Sequence, residues 1–250
     1  MKKPITCIIT AILITGLLAA CGSAGKDVLT VGTNAEFPPF EYIGDDGEPD
    51  GFDIALIKAI GENIGREVVI ENLEFSSLIA AIGSKVDLAI SGVTITEERR
   101  QSVDFSDPYY EAVQFVIVPS GSPIETMADL EGLTIGVQLG TTADFIVSDD
   151  IADAIPVQYN KTVDAVNDLL NDRVDCVIVD KNPAFVFADR HFGVLEARDG
   201  AQFGFDPEFY AIAMPKGDTE LAEQINQALR DLKADGTFDR LVAEYIEEVE

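Results

Sequence analysis

The most informative part of the sequence is residues 91–110, SGVTITEERRQSVDFSDPYY. An apolar run at 86–90 is predicted to be a strand, and a turn of small residues connects it to a short helix that begins near Thr96. Such a turn places backbone N–H groups and hydroxyls at a helix N-terminus, and Arg99 follows one turn later. Because a guanidinium pairs both oxygens of a carboxylate, the stretch predicts a carboxylate site. The competing interpretation is a capped helix with a surface arginine paired to Glu97 or Glu98.

Strand-like and helix-like runs alternate on both sides of this stretch. Asp53 is a possible cap for a helix with apolar residues at helical spacing over 54–64. Other predicted helices cover 76–82, 143–148, 163–170, 219–234 and 238–247. Further predicted strands cover 28–33, 68–73, 114–118, 133–138, 157–159, 174–179 and 209–214. This alternation predicts parallel sheets covered by helices, in two α/β units with a cleft between them.

The N-terminus reads as an export signal over residues 1–20. Lys2 and Lys3 precede an apolar stretch at 5–18, and Leu-Ala-Ala-Cys at 18–21 resembles a bacterial lipobox. The lipobox implies cleavage before Cys21 and a lipid on its sulfur, with residues 21–26 as a flexible tether. An ordinary signal peptide with a chance cysteine is the alternative.

Charge and composition exclude several classes of function. The chain has 17 Lys and Arg against 45 Asp and Glu, and removing Lys2 and Lys3 leaves 15 against 45, a formal charge of −30. Such a charge repels nucleic acid and anionic lipid. Cys176 is the only cysteine after residue 21, so no internal disulfide is expected, and its apolar surroundings predict a core position. His191 is the only histidine, and we expect neither a metal site nor a cofactor.

Three further features complete a candidate site. Residues 136–142, GVQLGTT, form a second strand-to-helix turn with glycines and threonines, although an ordinary turn capped by threonine has the same pattern. Asp180 ends an apolar strand, where it is a cation acceptor or a cap for the next helix. Phe37 and Phe75 follow the first two strands of the chain and are apolar walls of a site or core residues. An anion clamp, a cation acceptor and apolar walls together match a zwitterion with a side chain, which is an α-amino acid.

At this point the chain resembles the polar-amino-acid-binding family of extracellular solute-binding proteins that serve ABC importers. The matching stretches span nearly all of the chain after residue 26, in family order. They are GTNAEFPPFE (32–41), GFDI (51–54), KVDLAI (85–90), residues 91–110, LEG (130–132), GTT (140–142), RVD (173–175), VD (179–180) and YAIAMPKG (210–217).

The resemblance implies a type II periplasmic-binding-protein-like α/β fold, with two lobes joined by two hinge strands and a ligand cleft between them. Lobe 1 would comprise residues 27–111 and 211–250, and lobe 2 residues 112–210. Arg99 would bind the ligand α-carboxylate with help from Gly92, Thr94 and Thr142. Asp180 would bind the α-ammonium group, and Phe37 and Phe75 would enclose the side chain. Family members vary at the positions of Asn34, Glu36 and Gln138 to select ligands.

The residues at those positions narrow the ligand class. Many relatives with basic ligands carry an acid at the position of Asn34, so the amide argues against a strong preference for basic amino acids. Glu36 would restore that preference if its side chain faced the ligand. No second Lys or Arg falls on a matched ligand position, which disfavours aspartate and glutamate.

The resemblance therefore implies a receptor rather than an enzyme. We expect a monomer, anchored outside the cell membrane through Cys21, that binds a free L-amino acid and delivers it to an ABC permease, without nucleic acid or a cofactor. One alternative is a dehydratase-type enzyme with Glu36 or Asp180 as general acid. The other is a receptor that senses amino acids.

Overall fold

The computed structural model describes residues 27–246. The export signal, the Cys21 lipidation site and the 21–26 tether lie outside these residues and stay predictions. Within them, no helix is both long enough and apolar enough to cross a membrane.

The strands of the described region are short and arranged in four sheets. They are β1 (Val28–Thr33), β2 (Glu36–Phe37), β3 (Glu41–Ile43), β4 (Pro49–Asp50), β5 (Glu67–Asn72), β6 (Leu88–Ala89), β7 (Val103–Phe105), β8 (Tyr110–Ala112), β9 (Gln114–Pro119), β10 (Thr134–Gln138), β11 (Ile155–Tyr159), β12 (Cys176–Asp180), β13 (Leu195–Arg198), β14 (Glu208–Tyr210) and β15 (Ala213–Pro215).

The helices lie between these strands, as the alternation predicts. They are α1 (Phe52–Ile64), α2 (Leu78–Ala81), α3 (Glu97–Arg100), α4 (Thr142–Phe145), α5 (Thr162–Leu170), α6 (Lys181–Arg190), α7 (Thr219–Ala234) and α8 (Thr237–Tyr245). A π-helical turn over Ile146–Asp150 continues α4. In α7, Leu221, Ile225, Ala228 and Leu232 are buried at intervals of three and four residues, so one face of the helix packs on the core.

The first lobe is built on a sheet with the order β5-β1-β6-β15-β7. Strand β1 runs parallel to β5 and β6, and β15 runs antiparallel to β6 and β7. Helices α1, α7 and α8 pack against one another on this lobe. The second lobe is built on a sheet with the order β11-β10-β12-β9-β13, in which β9 runs antiparallel to its neighbours. The predicted α/β class is confirmed, but the sheets are mixed rather than wholly parallel.

Two antiparallel strands connect the lobes. Strand β8 leads into the second lobe and pairs with β14, which leads back, so that Tyr110 faces Tyr210 in the register. The single strand predicted over 209–214 is wrong, because the chain changes partners within it. Tyr210 ends the hinge strand, Ile212 N–H donates to the Ser106 hydroxyl, and Ala213 begins the strand that joins the first sheet.

Asp53 is not a helix cap. Helix α1 begins one residue earlier, and the residue at its N-cap position is Gly51, with φ of 117°. A Cβ atom there would lie 2.4 Å from the Phe40 carbonyl oxygen, so only glycine fits. The Asp53 side chain is fully buried and points inward, where it accepts hydrogen bonds from Gly92 N–H and the Tyr109 hydroxyl.

Cys176 lies in the core of the second lobe, as its sequence context predicts. Its side chain is fully buried, and burial raises the pKa of the thiol to about 12. A thiol with so high a pKa is a poor nucleophile at neutral pH.

Candidate functional site

A cavity lies between the two lobes, and the space between its walls and its mouth that no atom fills is about 310 Å³. Every candidate residue from the sequence lines it except Glu36. The lining residues of the first lobe are Asn34, Phe37, Phe75, Ser91, Gly92, Thr94 and Arg99, and those of the second lobe are Gln138, Thr141, Thr142 and Asp180. Among these residues Arg99 carries the only positive charge and Asp180 the only carboxylate, so the cavity offers one partner for each charge of a zwitterion.

Arg99 is buried against both lobes. The Thr96 hydroxyl caps helix α3 and accepts from Arg99 N–H. The Arg99 side chain donates through Nη1 to the Thr94 carbonyl oxygen (2.7 Å) and through Nη2 to the Gly140 carbonyl oxygen of the second lobe (3.0 Å). Its guanidinium lies 5.5 Å from the centre of the Phe75 ring.

The neighbouring Arg100, rather than Arg99, forms the surface ion pair that the competing interpretation required. Arg100 Nε lies 3.8 Å from Glu97 Oε1. Within residues 27–246, no carboxylate lies within ion-pair distance of Arg99. A guanidinium has five N–H donors and Arg99 uses two of them for carbonyl oxygens, so the others remain for an anionic ligand. Burial lowers the pKa of Arg99, whereas the negative charges of Glu208 and Asp180 act in the opposite direction.

Gly92 shapes the wall beside Phe37. Its φ of 50° is left-handed, and a Cβ atom would lie 3.1 Å from Phe37 Cε1, so both the backbone and the space favour glycine. The Gly92 N–H donates to Asp53 Oδ2 at 2.8 Å, behind the cavity. This bond differs from the expectation that the amide faces a ligand, because a buried carboxylate already occupies it.

Two buried carboxyl groups support this wall from behind, and the sequence did not reveal the pair. The Ser91 hydroxyl donates to Glu41 Oε1 (2.8 Å), and Asp53 Oδ2 accepts from Gly92 N–H and the Tyr109 hydroxyl. Burial raises the pKa of Asp53 to about 6, and burial together with the charge of Asp53 raises the pKa of Glu41 well above its usual range. Because each of two interacting buried carboxyl groups disfavours the charge of the other, we expect the pair to share one proton at neutral pH.

Asp180 stands at the N-cap position of α6, but its side chain makes no capping hydrogen bond. Its Oδ1 atom is buried and has no hydrogen-bond partner within residues 27–246. Burial, with a contribution from the charge of Glu208, raises the pKa of Asp180 to about 7, whereas the Tyr210 hydroxyl and the Gln114 amide lower it. A buried carboxylate with an unpaired oxygen is well placed to accept hydrogen bonds from a cation.

Two side-chain amides, those of Asn34 and Gln138, meet at another part of the cavity wall. Gln138 Nε2 donates to Asn34 Oδ1 (2.8 Å) across the cleft, and Asn34 Nδ2 donates to the Leu73 carbonyl oxygen (2.9 Å). Both residues are buried. This wall is therefore polar but uncharged.

Glu36 lies outside the cavity lining. Its carboxylate forms an ion pair with Lys161 of the second lobe, with Nζ and Oε1 2.5 Å apart, and this hydrogen bond raises the pKa of Lys161. Both side chains are partly exposed. Glu36 thus bridges the lobes at the edge of the cleft.

Glu208, which the sequence analysis did not single out, contacts both lobes from the hinge strand β14. Its Oε2 accepts from the Thr94 hydroxyl and from the Thr142 hydroxyl, each at 2.8 Å. The only sequence signal was its place two residues before the Tyr210 motif. Among residues 27–246, no group of three or more His, Cys, Asp or Glu side chains is arranged to hold a metal ion.

Known proteins resemble the chain over most of its length. A family model described as "Bacterial extracellular solute-binding proteins, family 3" matches residues 29–248. An arginine-binding extracellular protein of Bacillus subtilis is 34% identical, with 96% of each chain covered. A probable histidine-binding protein of Neisseria gonorrhoeae is 32% identical, with 91% of this chain and 90% of the relative covered. The solved structure of an ancestral arginine-binding protein bound to glutamine has a TM-score of 0.83 and 38% identity, covering 89% of this chain and 99% of that one.

Proposed function

Because the chain belongs to the bacterial extracellular solute-binding proteins of family 3, we propose that it captures a free L-amino acid outside the cell and delivers it to an ABC permease. The relatives that it matches are named as amino-acid-binding proteins, which favours capture over a dehydratase reaction.

The observation that carries the proposal is the presence of one buried cation and one buried carboxylate in the same cavity between the lobes. Arg99 has free N–H donors for the α-carboxylate, and Asp180 has an unpaired oxygen for the α-ammonium group. Since Arg99 also bonds to Gly140 of the second lobe, its position depends on closure. A ligand that contacts both lobes stabilises the closed form through contacts that the open form lacks.

We propose that the side chain of the ligand is polar and uncharged. The Asn34 and Gln138 amides supply both donors and acceptors, and Phe37 and Phe75 supply apolar surface. A side-chain amide such as that of glutamine satisfies these groups. A guanidinium or ammonium group would find no carboxylate at Asn34.

We also propose that the protein is a lipoprotein monomer anchored through Cys21, and that the lobes divide at residues 111–112 and 210–211. The Leu-Ala-Ala-Cys motif and the pairing of β8 with β14 support these two assignments. Replacing Cys21 with serine should release the protein from the membrane fraction. Continued membrane attachment would contradict the lipid anchor.

The decisive experiment is a thermal-shift screen against the common L-amino acids, cystine and ornithine, followed by calorimetry on those that bind. A ligand that binds only the folded state raises the melting temperature. We expect polar uncharged amino acids to give the largest rise, and the bound amino acid to be recovered unchanged. Absence of a rise with every compound, or chemical turnover, would contradict the proposal.

Arg99→Ala and Arg100→Ala form a matched pair for the carboxylate assignment. Arg99→Ala leaves the ligand carboxylate desolvated and unpaired, at a cost of about 2–5 kcal/mol of binding free energy. Arg100→Ala removes an arginine of the same helix that points to Glu97, and should leave affinity unchanged. Equal affinities in the two variants would refute the role of Arg99. Loss of amino-acid uptake on deletion of the gene would distinguish import from sensing.

A further inference from the structure

We propose that Glu208 is a positioning residue that makes the Thr94 and Thr142 hydroxyls hydrogen-bond acceptors, and thereby makes the site select ligands with an α-ammonium group. This inference rests on the function proposed above and assigns a specificity role within the same site.

The hydrogen bonds determine where the two hydroxyl hydrogens point. Glu208 Oε2 is 2.8 Å from Thr94 Oγ1 and 2.8 Å from Thr142 Oγ1. An ionised carboxylate only accepts hydrogen bonds, and each threonine hydroxyl has a single hydrogen. Both hydrogens are therefore committed to Glu208, and the hydroxyls have only lone pairs left for a ligand in the cavity that they line.

Lone pairs favour an ammonium group over a carboxylate, so this orientation of the hydroxyls differs from the expectation that Thr94 and Thr142 help Arg99 to bind the α-carboxylate. An ammonium group has three N–H donors, and Asp180 Oδ1 supplies another acceptor in the same cavity. The buried amide of Gln114 also donates to Thr142 Oγ1 (3.2 Å), which takes one lone pair and leaves the other. A ligand without the ammonium group would leave these acceptors desolvated and unpaired.

The position of Glu208 links this selection to closure. Thr94 belongs to the first lobe, Thr142 begins helix α4 of the second lobe, and Glu208 lies in the hinge strand between them. One carboxylate oxygen thus binds a hydroxyl from each lobe. Both hydroxyls can donate to Glu208 at the same time only when the two lobes are closed.

The charge of Glu208 acts on the same group of the ligand. The groups that interact with the Asp180 carboxylate are the Glu208 carboxylate, the Tyr210 hydroxyl, the Gln114 amide and the Arg99 guanidinium. The charge of Glu41 makes a smaller contribution. When Asp180 is ionised, two carboxylates against one guanidinium leave an excess negative charge near the cavity. An ammonium group compensates it, and a neutral substituent does not.

The test compares ligands with and without the ammonium group in wild type, Glu208→Gln and Glu111→Gln. Glutamine keeps the size of Glu208 but removes its charge, and Glu111 is an exposed acid on the partner strand β8. The probe pairs are L-glutamine with glutaramate, L-histidine with imidazolepropionate, and L-arginine with 5-guanidinopentanoate. Calorimetry gives the ratio of dissociation constants within each pair that contains a bound amino acid.

We expect Glu208→Gln to reduce the preference for the ammonium form by about tenfold or more, the usual value of hydrogen bonds to charged groups. Glu111→Gln should keep the wild-type ratio. A purely structural role would weaken both members of a pair equally, so an unchanged ratio in Glu208→Gln overturns the inference. Thr94→Val removes one of the acceptors and should reduce the ratio too, which keeps the test valid if Glu208→Gln does not fold.

A pH profile gives a second readout. Glu208 contributes to the raised pKa of Asp180, so Glu208→Gln should shift the loss of amino-acid affinity on acidification to lower pH. An unchanged midpoint would count against the proposal. If wild type binds no amino acid at all, the proposed function fails, and this inference fails with it. If wild type binds but the ratios do not change, only this inference fails.

Discussion

The free energy of unfolding of Asp53→Asn, compared with that of wild type, should increase as the pH rises from acidic to neutral. Asp53 Oδ2 accepts from Gly92 N–H and from the Tyr109 hydroxyl, and an asparagine carbonyl oxygen can accept both bonds. The asparagine N–H₂ group then replaces the shared proton and donates to Glu41, which lies within hydrogen-bond reach of Asp53. The substitution removes a titration without removing a hydrogen bond.

The magnitude follows from the raised pKa of Asp53. Burial raises that pKa from its ordinary value of 3.8 to about 6, so the folded state holds the proton more tightly than the unfolded state. The stability from this proton is fully present below about pH 4 and is lost as the pH rises through about 6. A shift of about 2 pKa units corresponds to about 3 kcal/mol at about 1.4 kcal/mol per unit. The Asp53→Asn variant does not suffer this loss.

Urea unfolding followed by far-UV circular dichroism measures the effect, since the chain has no tryptophan to report by fluorescence. The free energy of unfolding of Asp53→Asn minus that of wild type should rise by about 3 kcal/mol between pH 4 and pH 8. Taking this difference cancels the titrations of groups that do not interact with Asp53. The pKa of Glu41, which the charge of Asp53 raises, falls in the variant and changes the difference in the same direction. A difference that stays constant or falls with pH would refute the shared proton.

Asp53→Ala provides the contrast. It leaves the Gly92 N–H and the Tyr109 hydroxyl without an acceptor, at a cost of about 1–3 kcal/mol for each buried donor. That loss should occur at every pH. Because Gly92 lines the cavity, Asp53→Ala should also weaken ligand binding, whereas Asp53→Asn should preserve it.

Three further predictions concern specificity, closure and folding. Asn34→Asp places a carboxylate at the amide wall, so calorimetry should show a gain of about tenfold in affinity for L-arginine relative to L-glutamine, and an unchanged ratio would contradict this use of Asn34. Lys161→Met removes the ion pair with Glu36 across the cleft, and should weaken binding by at most about fivefold and abolish its salt dependence. Lys216→Met, which breaks an ion pair within the first lobe, is the control, and equal effects of the two variants would refute the closure role. Gly51→Ala should unfold the protein at lower temperature than Gly47→Ala, because a Cβ atom meets the Phe40 carbonyl at the first position and open space at the second, although both have positive φ. Equal melting temperatures would contradict the clash.

The sequence predicted those elements whose periodicity matches their burial. Strand β1 and helix α7 begin and end where the pattern predicts. Helix α7 buries one regular face, and β1 is a short β-branched run that is buried along most of its length. Asp53 was predicted as a cap because an acid before an apolar helix usually caps it, and only the buried partners Gly92 and Tyr109 reveal its other role. A pattern along the chain contains no information on a contact between distant segments.

The same limit applies to the candidate site. Arg99 and Asp180 stand at strand and helix ends, where local sequence indicates a site, and both line the cavity. Glu208 acts through Thr94 and Thr142, which are more than 60 residues away along the chain and belong to different lobes. Its contacts require that the lobes close, which no local pattern records. Glu36 lies in a motif that matches the family, but the motif did not determine the direction of its side chain, which pairs with Lys161 instead of lining the cavity.

The path of the chain through the two sheets has a consequence for how the protein is made. All strands of the second sheet lie between Gln114 and Arg198, whereas the first sheet takes four strands from before that interval and β15 from after it. Because the chain is synthesised from its N-terminus, all strands of the second sheet are available while the first sheet still lacks β15. Strand β15 lies between β6 and β7. Until β15 arrives, those two strands have unpaired edges that can bind a chaperone or aggregate. Truncations that end shortly after residue 210 should accumulate as chains with one folded lobe and one open sheet.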